Sequence, residues 1–159
     1  MGFVNRLLYR LTSSLPLRVI KEDERPYLER YYVGTLAGVR CYLHRFVGSD
    51  PDRGLHDHPW PWAASVVICG DYDEHLQHGV RRVRCFNWLR GHTFHRVVLP
   101  PGRREVWTLF LHRAVNTKAW GFRDESGVHV RMASGDNLRE WWTVEPIGRL
   151  NAQRVPPDR

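Results

Sequence analysis

Two histidines stand two residues apart in the segment Leu55-His56-Asp57-His58-Pro59-Trp60, just before a strongly apolar stretch. In a β-strand, residues i and i+2 point to the same face, so His56 and His58 project together. One metal ion can bridge two imidazoles at this spacing, and imidazole is a common ligand of zinc, iron, copper and nickel. The pattern is short, and its alternative is a pair of surface histidines in a loop.

A third histidine favours the metal site. His95 lies in the strand-like stretch Thr93–Leu99, beside Phe94 and before two valines. The His56–His58 pair also stands at the entry to Ala63–Cys69, a nearly continuous apolar run where uncompensated imidazoles would be costly. We therefore predict that His56, His58 and His95 bind one metal ion.

Short aromatic and β-branched stretches, separated by turn signals, recur along the chain. Gly48–Gly54 and Pro100–Gly102 are the densest turns. This spacing predicts an all-β sandwich or barrel without a strong interior helix. The predicted strands are Arg30–Val33, Val39–Phe46, Ala63–Cys69, Arg81–Asn87, Thr93–Leu99, Glu105–His112, Ala119–Phe122 and Val128–Met132.

The 159 residues are expected to form one domain. Phe3, Leu7, Leu8 and Leu11 share a helical face, which predicts a short N-terminal helix packed on the domain or on a second subunit. The alternative is a helix that lies on a membrane surface. We assign residues 1–20 to this helical segment, 21–135 to the barrel and 136–159 to a C-terminal extension. One helical turn over Asn137–Trp142, capped by Asp136, is expected in the extension.

The amino-acid composition limits the kinds of partner that the protein can bind and indicates the cellular compartment in which it works. The 24 Lys and Arg exceed the 17 Asp and Glu, giving a net charge of +7, which permits an anionic partner, nucleic acid included. No polybasic block or nucleic-acid motif supports the latter. Cys41, Cys69 and Cys85 stand in apolar stretches without a Cys-x-x-Cys pair, which indicates buried thiols in a reducing cytoplasm. No apolar run reaches about 18 residues, so we expect no contact with a membrane.

The segment around the histidines resembles the first motif of the cupin superfamily, Gly-x5-His-x-His-x3–4-Glu-x6-Gly, with Gly70 at the closing position. The chain is also similar to small cupin-like proteins of phages and bacteria. That likeness rests on His44-Arg45-Phe46, Gly54–Trp60, Phe94-His95-Arg96 and Trp120-Gly121-Phe122. The resemblance implies a double-stranded β-helix, or jelly-roll barrel, with a bound metal, and homodimers are frequent among cupins. It does not imply a reaction.

The chain departs from the cupin motifs at several positions, and these departures change the set of metal ligands that the resemblance implies. Asp50 replaces the opening Gly of the first motif, and Ala63 replaces the Glu ligand. The second motif, Gly-x5-Pro-x-Gly-x2-His-x3-Asn, matches at His95 only. The remaining three neutral histidines are similar to the iron site of cupin thiol dioxygenases. A divalent metal is therefore expected, with Fe(II) favoured and Zn(II) or Ni(II) as alternatives.

Three further residues are candidates for catalysis. Glu74 follows the turn at Gly70-Asp71 and shares a face with Tyr72, so both side chains are predicted to line the barrel, with Glu74 as a ligand or general base. The alternative for Glu74 is a solvated edge charge. His112 ends an apolar strand, where it is either an acid–base group or solvated.

Two more groups have open roles. Asp57 has the opposite strand parity to the histidines and is predicted either to accept a hydrogen bond from an imidazole or to cap a loop. His44 and Tyr42 share one face of a strand, where they either line the pocket or pack in the core.

Two classes of function remain open from the sequence. The favoured one is a non-haem iron oxygenase that acts on a small anionic substrate at the three histidines, with a zinc-dependent hydrolase or isomerase as the alternative chemistry. The other is a non-catalytic cupin that binds a nucleotide or a phosphorylated ligand. A role in modifying phage DNA is permitted by the charge alone.

Overall fold

The computed structural model describes residues 2–123, 127, 129–132 and 140–157. These residues form one α-helix, several single 3-10 turns and a set of short β-strands. The elements are α1 (Phe3–Leu11), β1 (Leu17–Glu22), β2 (Arg25–Leu36), β3 (Val39–Phe46), β4 (Leu55–His56), β5 (Trp62–Cys69), β6 (Tyr72–Leu76), β7 (Gly79–Val83), β8 (Phe86–Arg90), β9 (His95–Val98), β10 (Val106–Arg113), β11 (Trp120–Arg123) and β12 (His129–Met132).

The strands form two six-stranded antiparallel sheets. One sheet has the order β1-β2-β3-β10-β5-β8, and the other has the order β12-β11-β4-β9-β6-β7. After β3 the chain passes from one sheet to the other at almost every connection, which is the topology of a jelly roll. The predicted all-β architecture with a short N-terminal helix is confirmed.

Strand β10 shows why the two sheets enclose an interior. Thr108, Phe110 and His112 alternate along the strand and are all buried on its inward face. Trp107 points the other way and is nevertheless fully buried, because Leu8 of the N-terminal helix packs against its cluster. The helix is present as predicted, but of its predicted apolar face only Leu8 packs against the first sheet, while Phe3, Leu7 and Leu11 are exposed.

The predicted strand Arg81–Asn87 is wrong in one respect. It is two strands, since β7 ends at Val83 in the second sheet and β8 begins at Phe86 in the first. Cys85 lies in this crossing and is exposed, which corrects the expectation that all three thiols are buried. Cys41 and Cys69 are partly buried, and all three cysteines are free.

The ends of the chain differ in detail from the prediction. Strand β1 begins at Leu17, inside the segment assigned to the N-terminal helix, and pairs with β2. The expected turn over Asn137–Trp142 lies largely outside the described residues, while Trp141–Thr143 forms a 3-10 turn. In the part of the chain that the structure describes, no helix is long and apolar enough to cross a membrane.

Candidate metal centre

The loop that carries the two histidines is held by a close backbone approach at Gly91. The amide of His58 donates to the carbonyl of Gly91 (3.1 Å), and the amide of Gly91 donates to the carbonyl of Pro61 (3.0 Å). A Cβ atom at position 91 would lie 1.9 Å from the carbonyl oxygen of Trp60. Glycine is therefore required here to fix the loop at the edge of the barrel.

Asp57, between the two histidines, anchors the loop on its other side. Its Oδ1 accepts a hydrogen bond from the amide of Gly121 (2.8 Å), and its Oδ2 binds the ammonium of Lys118. The carboxylate is almost fully buried. The hypothesis that Asp57 holds an imidazole is therefore wrong, because both of its oxygens serve the neighbouring strand β11 and the segment before it.

The three predicted histidines lie together. His56 on β4 pairs in register with His95 on β9, and His58 follows two residues later. The Nε2 atoms of His58 and His95 are 2.9 Å apart, and one nitrogen of each of the three side chains lies within 4.8 Å of the others. Backbone pairing thus brings residues 39 positions apart in the sequence to one point, where they could hold a metal ion.

Burial keeps two of the three histidines, His56 and His58, neutral. Burial, followed by the neighbouring charge of His95, holds the pKa of both His56 and His58 well below the usual range of histidine. Neutral imidazoles keep a nitrogen lone pair available, which metal binding requires. The cluster is therefore a donor set of the kind that divalent transition metals prefer.

Glu74 fixes the orientation of His95. Its Oε1 lies 2.9 Å from Nδ1 of His95 and accepts a hydrogen bond from Asn87 (2.6 Å), while its Oε2 accepts one from Arg81 (2.6 Å). Burial alone would raise the pKa of Glu74, but these hydrogen bonds outweigh burial and lower it. The side chain is fully buried, so the alternative of a solvated edge charge is wrong. An ionised Glu74 makes His95 carry its proton on Nδ1 and leaves Nε2 free toward the other histidines.

Tyr72 shares the inward face of β6 with Glu74, as predicted. Its hydroxyl accepts a hydrogen bond from Asn87 (3.2 Å), which also donates to Glu74. Burial raises the pKa of Tyr72 to about 12, so its phenol stays protonated at neutral pH. Asn87 was not anticipated, because its place beside Glu74 depends on the crossing between β7 and β8.

The histidines open onto a cavity of about 610 Å³ between the two sheets. His44, Tyr72 and Phe110 line it, so His44 faces the pocket, while Tyr42 packs in the neighbouring aromatic core. Cations outnumber carboxylates on its wall. The charged residues that line it are Arg18, Lys21, Arg30, Arg53 and Asp50.

His112 does not line this cavity. Its ring stacks on Trp60 with 3.5 Å between ring centres, and its Nδ1 lies 2.6 Å from the carbonyl oxygen of Arg113. It is neither solvated nor in contact with the cavity, because the aromatic rings of Trp60 and Tyr42 enclose it. Ala63 packs in the same aromatic cluster and likewise does not line the cavity.

Sequence reasoning missed Arg30 and Thr108, which both line the cavity. For Arg30 a signal existed, because it has the same strand parity as Leu28, which is buried in the core. An arginine on that face of a strand marks a polar interior.

Comparisons with known proteins agree with this architecture. No family model matches the chain, and no curated protein matches it. Among solved structures, a cupin-2 domain protein, Rru_A2000 from Rhodospirillum rubrum, is 15% identical with a TM-score of 0.57, over 71% of this chain and 78% of that one. The iron(II) form of HppE is 10% identical with a TM-score of 0.53, over 62% and 56%. The DMSP lyase DddQ from Ruegeria pomeroyi DSS-3 is 15% identical with a TM-score of 0.52, over 67% and 59%.

The shared feature of these structures is the double-layered β barrel, since their sequences have little in common with this one. The match spans just over half the length of HppE and of DddQ. The two sheets, their order and these likenesses together show that the chain has the cupin fold.

Proposed function

We propose that this protein is a metal-dependent cupin enzyme, an oxygenase that uses Fe(II) and acts on a small anionic molecule inside the barrel. The observation that carries the proposal is the convergence of three imidazoles, those of His56, His58 and His95, on the wall of a cavity of about 610 Å³. Cavities of this size hold small-molecule substrates.

The donor set fits a metal ion. Two nitrogens that lie about 2.0–2.1 Å from one ion, at right angles to each other, are about 2.8–3.0 Å apart. The Nε2 atoms of His58 and His95 have this separation, 2.9 Å. Nδ1 of His58 is buried without a hydrogen-bond partner among the described residues, and its Nε2 contacts Nε2 of His95. An ion bound at Nε2 would stabilise the tautomer with the proton on Nδ1.

Each side chain around the histidines has a definite part in this proposal. His56, His58 and His95 would hold the ion, which when bound supplies open positions for substrate and O2. Glu74 orients His95, and Asn87 joins Glu74 to Tyr72. The protonated phenol of Tyr72 is available to donate a hydrogen bond to a ligand in the cavity. His112 is left out because aromatic rings separate it from the cavity.

Iron(II) is supported by the three-imidazole ligand set and by HppE, an iron(II) protein with the same fold. The second candidate is a non-catalytic module that binds an anionic ligand. The four cations on the cavity wall favour it, because they would attract an anion whether or not it is converted.

The experiment is metal analysis of protein purified without added metal, followed by oxygen-uptake measurements on protein reloaded with Fe(II) or Zn(II). Small carboxylates and phosphonates serve as candidate substrates. We expect bound iron, and oxygen uptake that depends on Fe(II). His58→Gln should lose both, while His78→Gln, at an exposed position outside the cavity, should keep both. Bound zinc without oxygen uptake in any sample would contradict the oxygenase and favour the binding module.

A further inference from the structure

One cation on the cavity wall has no counter-ion. Arg30, on β2, makes no ion pair with any residue that the structure describes. The other three cations of the wall each contact a carboxylate away from the cavity. These pairs are Arg18–Glu145, Lys21–Glu24 and Arg53–Glu22.

The guanidinium of Arg30 is held in place by a neutral partner. Its Nε donates to Nε2 of His44 (3.0 Å), and its charge lies 5.6 Å from the ring centre of Tyr42. Burial, followed by the charge of Arg30, keeps the pKa of His44 well below its usual range, so His44 does not carry a competing charge. The two outer nitrogens of Arg30 make no hydrogen bond within the described part of the chain. Such a free fork matches the two oxygens of an oxyanion.

Arg30, His44 and Thr108 form a row across three neighbouring strands. Thr108 lies directly opposite His44 in the pairing of β10 with β3, and Arg30 lies opposite His44 on the other side. Thr108 is 1% exposed, lines the same cavity, and its Oγ1 has no partner among the described residues. A buried hydroxyl without a hydrogen bond is destabilising, so a ligand oxygen that reaches Thr108 would gain a hydrogen bond there.

We infer that Arg30, His44 and Thr108 form a carboxylate subsite, at which the fork of Arg30 and the hydroxyl of Thr108 bind one carboxylate of the substrate. This inference deepens the proposed function and rests on it, because it names the substrate class as a small carboxylic acid that reaches from this row to the three histidines.

A single negative charge fits better than two. Arg30 alone among the wall cations lacks an ion pair with the residues that the structure describes, and Asp50 adds a carboxylate to the same cavity, where its Oδ2 accepts a hydrogen bond from the amide of Val97 (2.8 Å). A doubly charged phosphate or phosphonate would leave one charge uncompensated in a partly buried site. The subsite therefore selects a carboxylate over a phosphonate.

The test is isothermal titration calorimetry of the whole chain, free of metal, with three phenyl ligands. Benzoate and benzamide have nearly the same shape and differ in charge, while phenylphosphonate has a tetrahedral, more highly charged head group. We expect benzoate to bind at least about tenfold more tightly than benzamide, since a hydrogen bond to a charged group contributes that much. Phenylphosphonate should bind more weakly than benzoate. Equal affinities for benzoate and benzamide would overturn the subsite, and a preference for phenylphosphonate would overturn the carboxylate assignment.

Substitutions of single residues show which side chains contribute to the binding of benzoate. Arg30→Gln should abolish the preference for benzoate over benzamide, and Thr108→Val should weaken benzoate binding about two- to tenfold. Arg82→Gln, at a cation outside the cavity that pairs with Asp71 and Asp73, should keep the preference. If Arg30→Gln does not fold, Arg30→Lys keeps a charge without the fork and should still weaken benzoate. An unchanged preference in the Arg30 variant that folds would refute the inference.

His58→Gln separates this inference from the proposed function. A preference for benzoate that is lost in His58→Gln and kept in the Arg30 variants places the carboxylate at the histidines and overturns the subsite alone. Absence of metal binding, with a preference that follows Arg30, overturns the proposed function and leaves the subsite standing.

Discussion

Replacing Glu74 by Gln tests how the metal centre is built. Glu74 is fully buried and accepts hydrogen bonds from His95, Asn87 and Arg81. Gln has nearly the same shape, so the packing around β6 should survive. It has no negative charge, however, and offers one acceptor oxygen where Glu74 offers two. We therefore expect His95 to lose its fixed tautomer and orientation while the fold persists.

The magnitude follows from the position of Glu74 behind a single ligand. Loss of such an outer partner typically lowers metal affinity about 10–100-fold, which corresponds to about 1.4–2.8 kcal/mol of binding free energy. The effect on unfolding should be smaller, because the Arg81 partner is half exposed and water replaces that contact. Metal affinity and stability should therefore change by different amounts.

The assay is competition for Zn(II) or Co(II) between the protein and a chromophoric chelator, with thermal unfolding measured in parallel on metal-free protein. Asp73→Asn is the matched control, because Asp73 is the neighbouring acid on the outward face and pairs with Arg82 instead of a histidine. If Glu74→Gln and Asp73→Asn bind the metal equally well, the reasoning about His95 is refuted.

Three further predictions concern the core and the thiols. Trp60→Ala should destabilise the fold by about 3–5 kcal/mol in urea unfolding, since Trp60 is buried against His112 and His58, whereas Trp88→Ala, at a half-exposed site, should cost far less. Burial lowers the pKa of His112 to about 3, so its contribution to stability is complete above pH 6.5 and is lost as the pH falls toward 3. In urea unfolding of His112→Phe, the free energy of unfolding should change less steeply with pH than in wild type, by up to about 1.4 kcal/mol per pH unit. The same pH dependence in His112→Phe as in wild type, which is the result expected for the exposed control His78→Phe, would contradict this. Cys85→Ala should leave stability unchanged, and Cys41→Ala should lower it slightly. Elemental analysis should find as much metal in both variants as in wild type, and loss of metal from either would show that a thiol is a ligand.

The histidine cluster could be predicted because its determinants are local. Strand parity places His56 and His58 on one face, and an apolar setting distinguishes them from surface residues. The same parity argument places Tyr72 and Glu74 together on the inward face of β6. Strand parity does not identify the residues on the neighbouring strand. The contact between Glu74 and His95 therefore could not be predicted, because it depends on the register of β6 with β9.

Other features depended on packing that no local pattern encodes. His112 has the inward parity expected of a cavity residue, but Trp60 and Tyr42 cover its ring. Asp57 looked like a partner for an imidazole, yet the segment that carries Lys118 and Gly121 returns from 61 and 64 residues away to bind it. Contacts between segments so far apart in the chain cannot be predicted from the spacing of residues in the sequence.

X-ray absorption spectroscopy at the zinc edge of the Zn(II)-loaded protein measures the ligands of the metal centre. We expect three imidazole nitrogens at about 2.0–2.1 Å, with one imidazole lost in His58→Gln and none lost in His78→Gln. A sulfur neighbour at about 2.3 Å, or a spectrum that the His58→Gln substitution leaves unchanged, would contradict a metal centre formed by His56, His58 and His95.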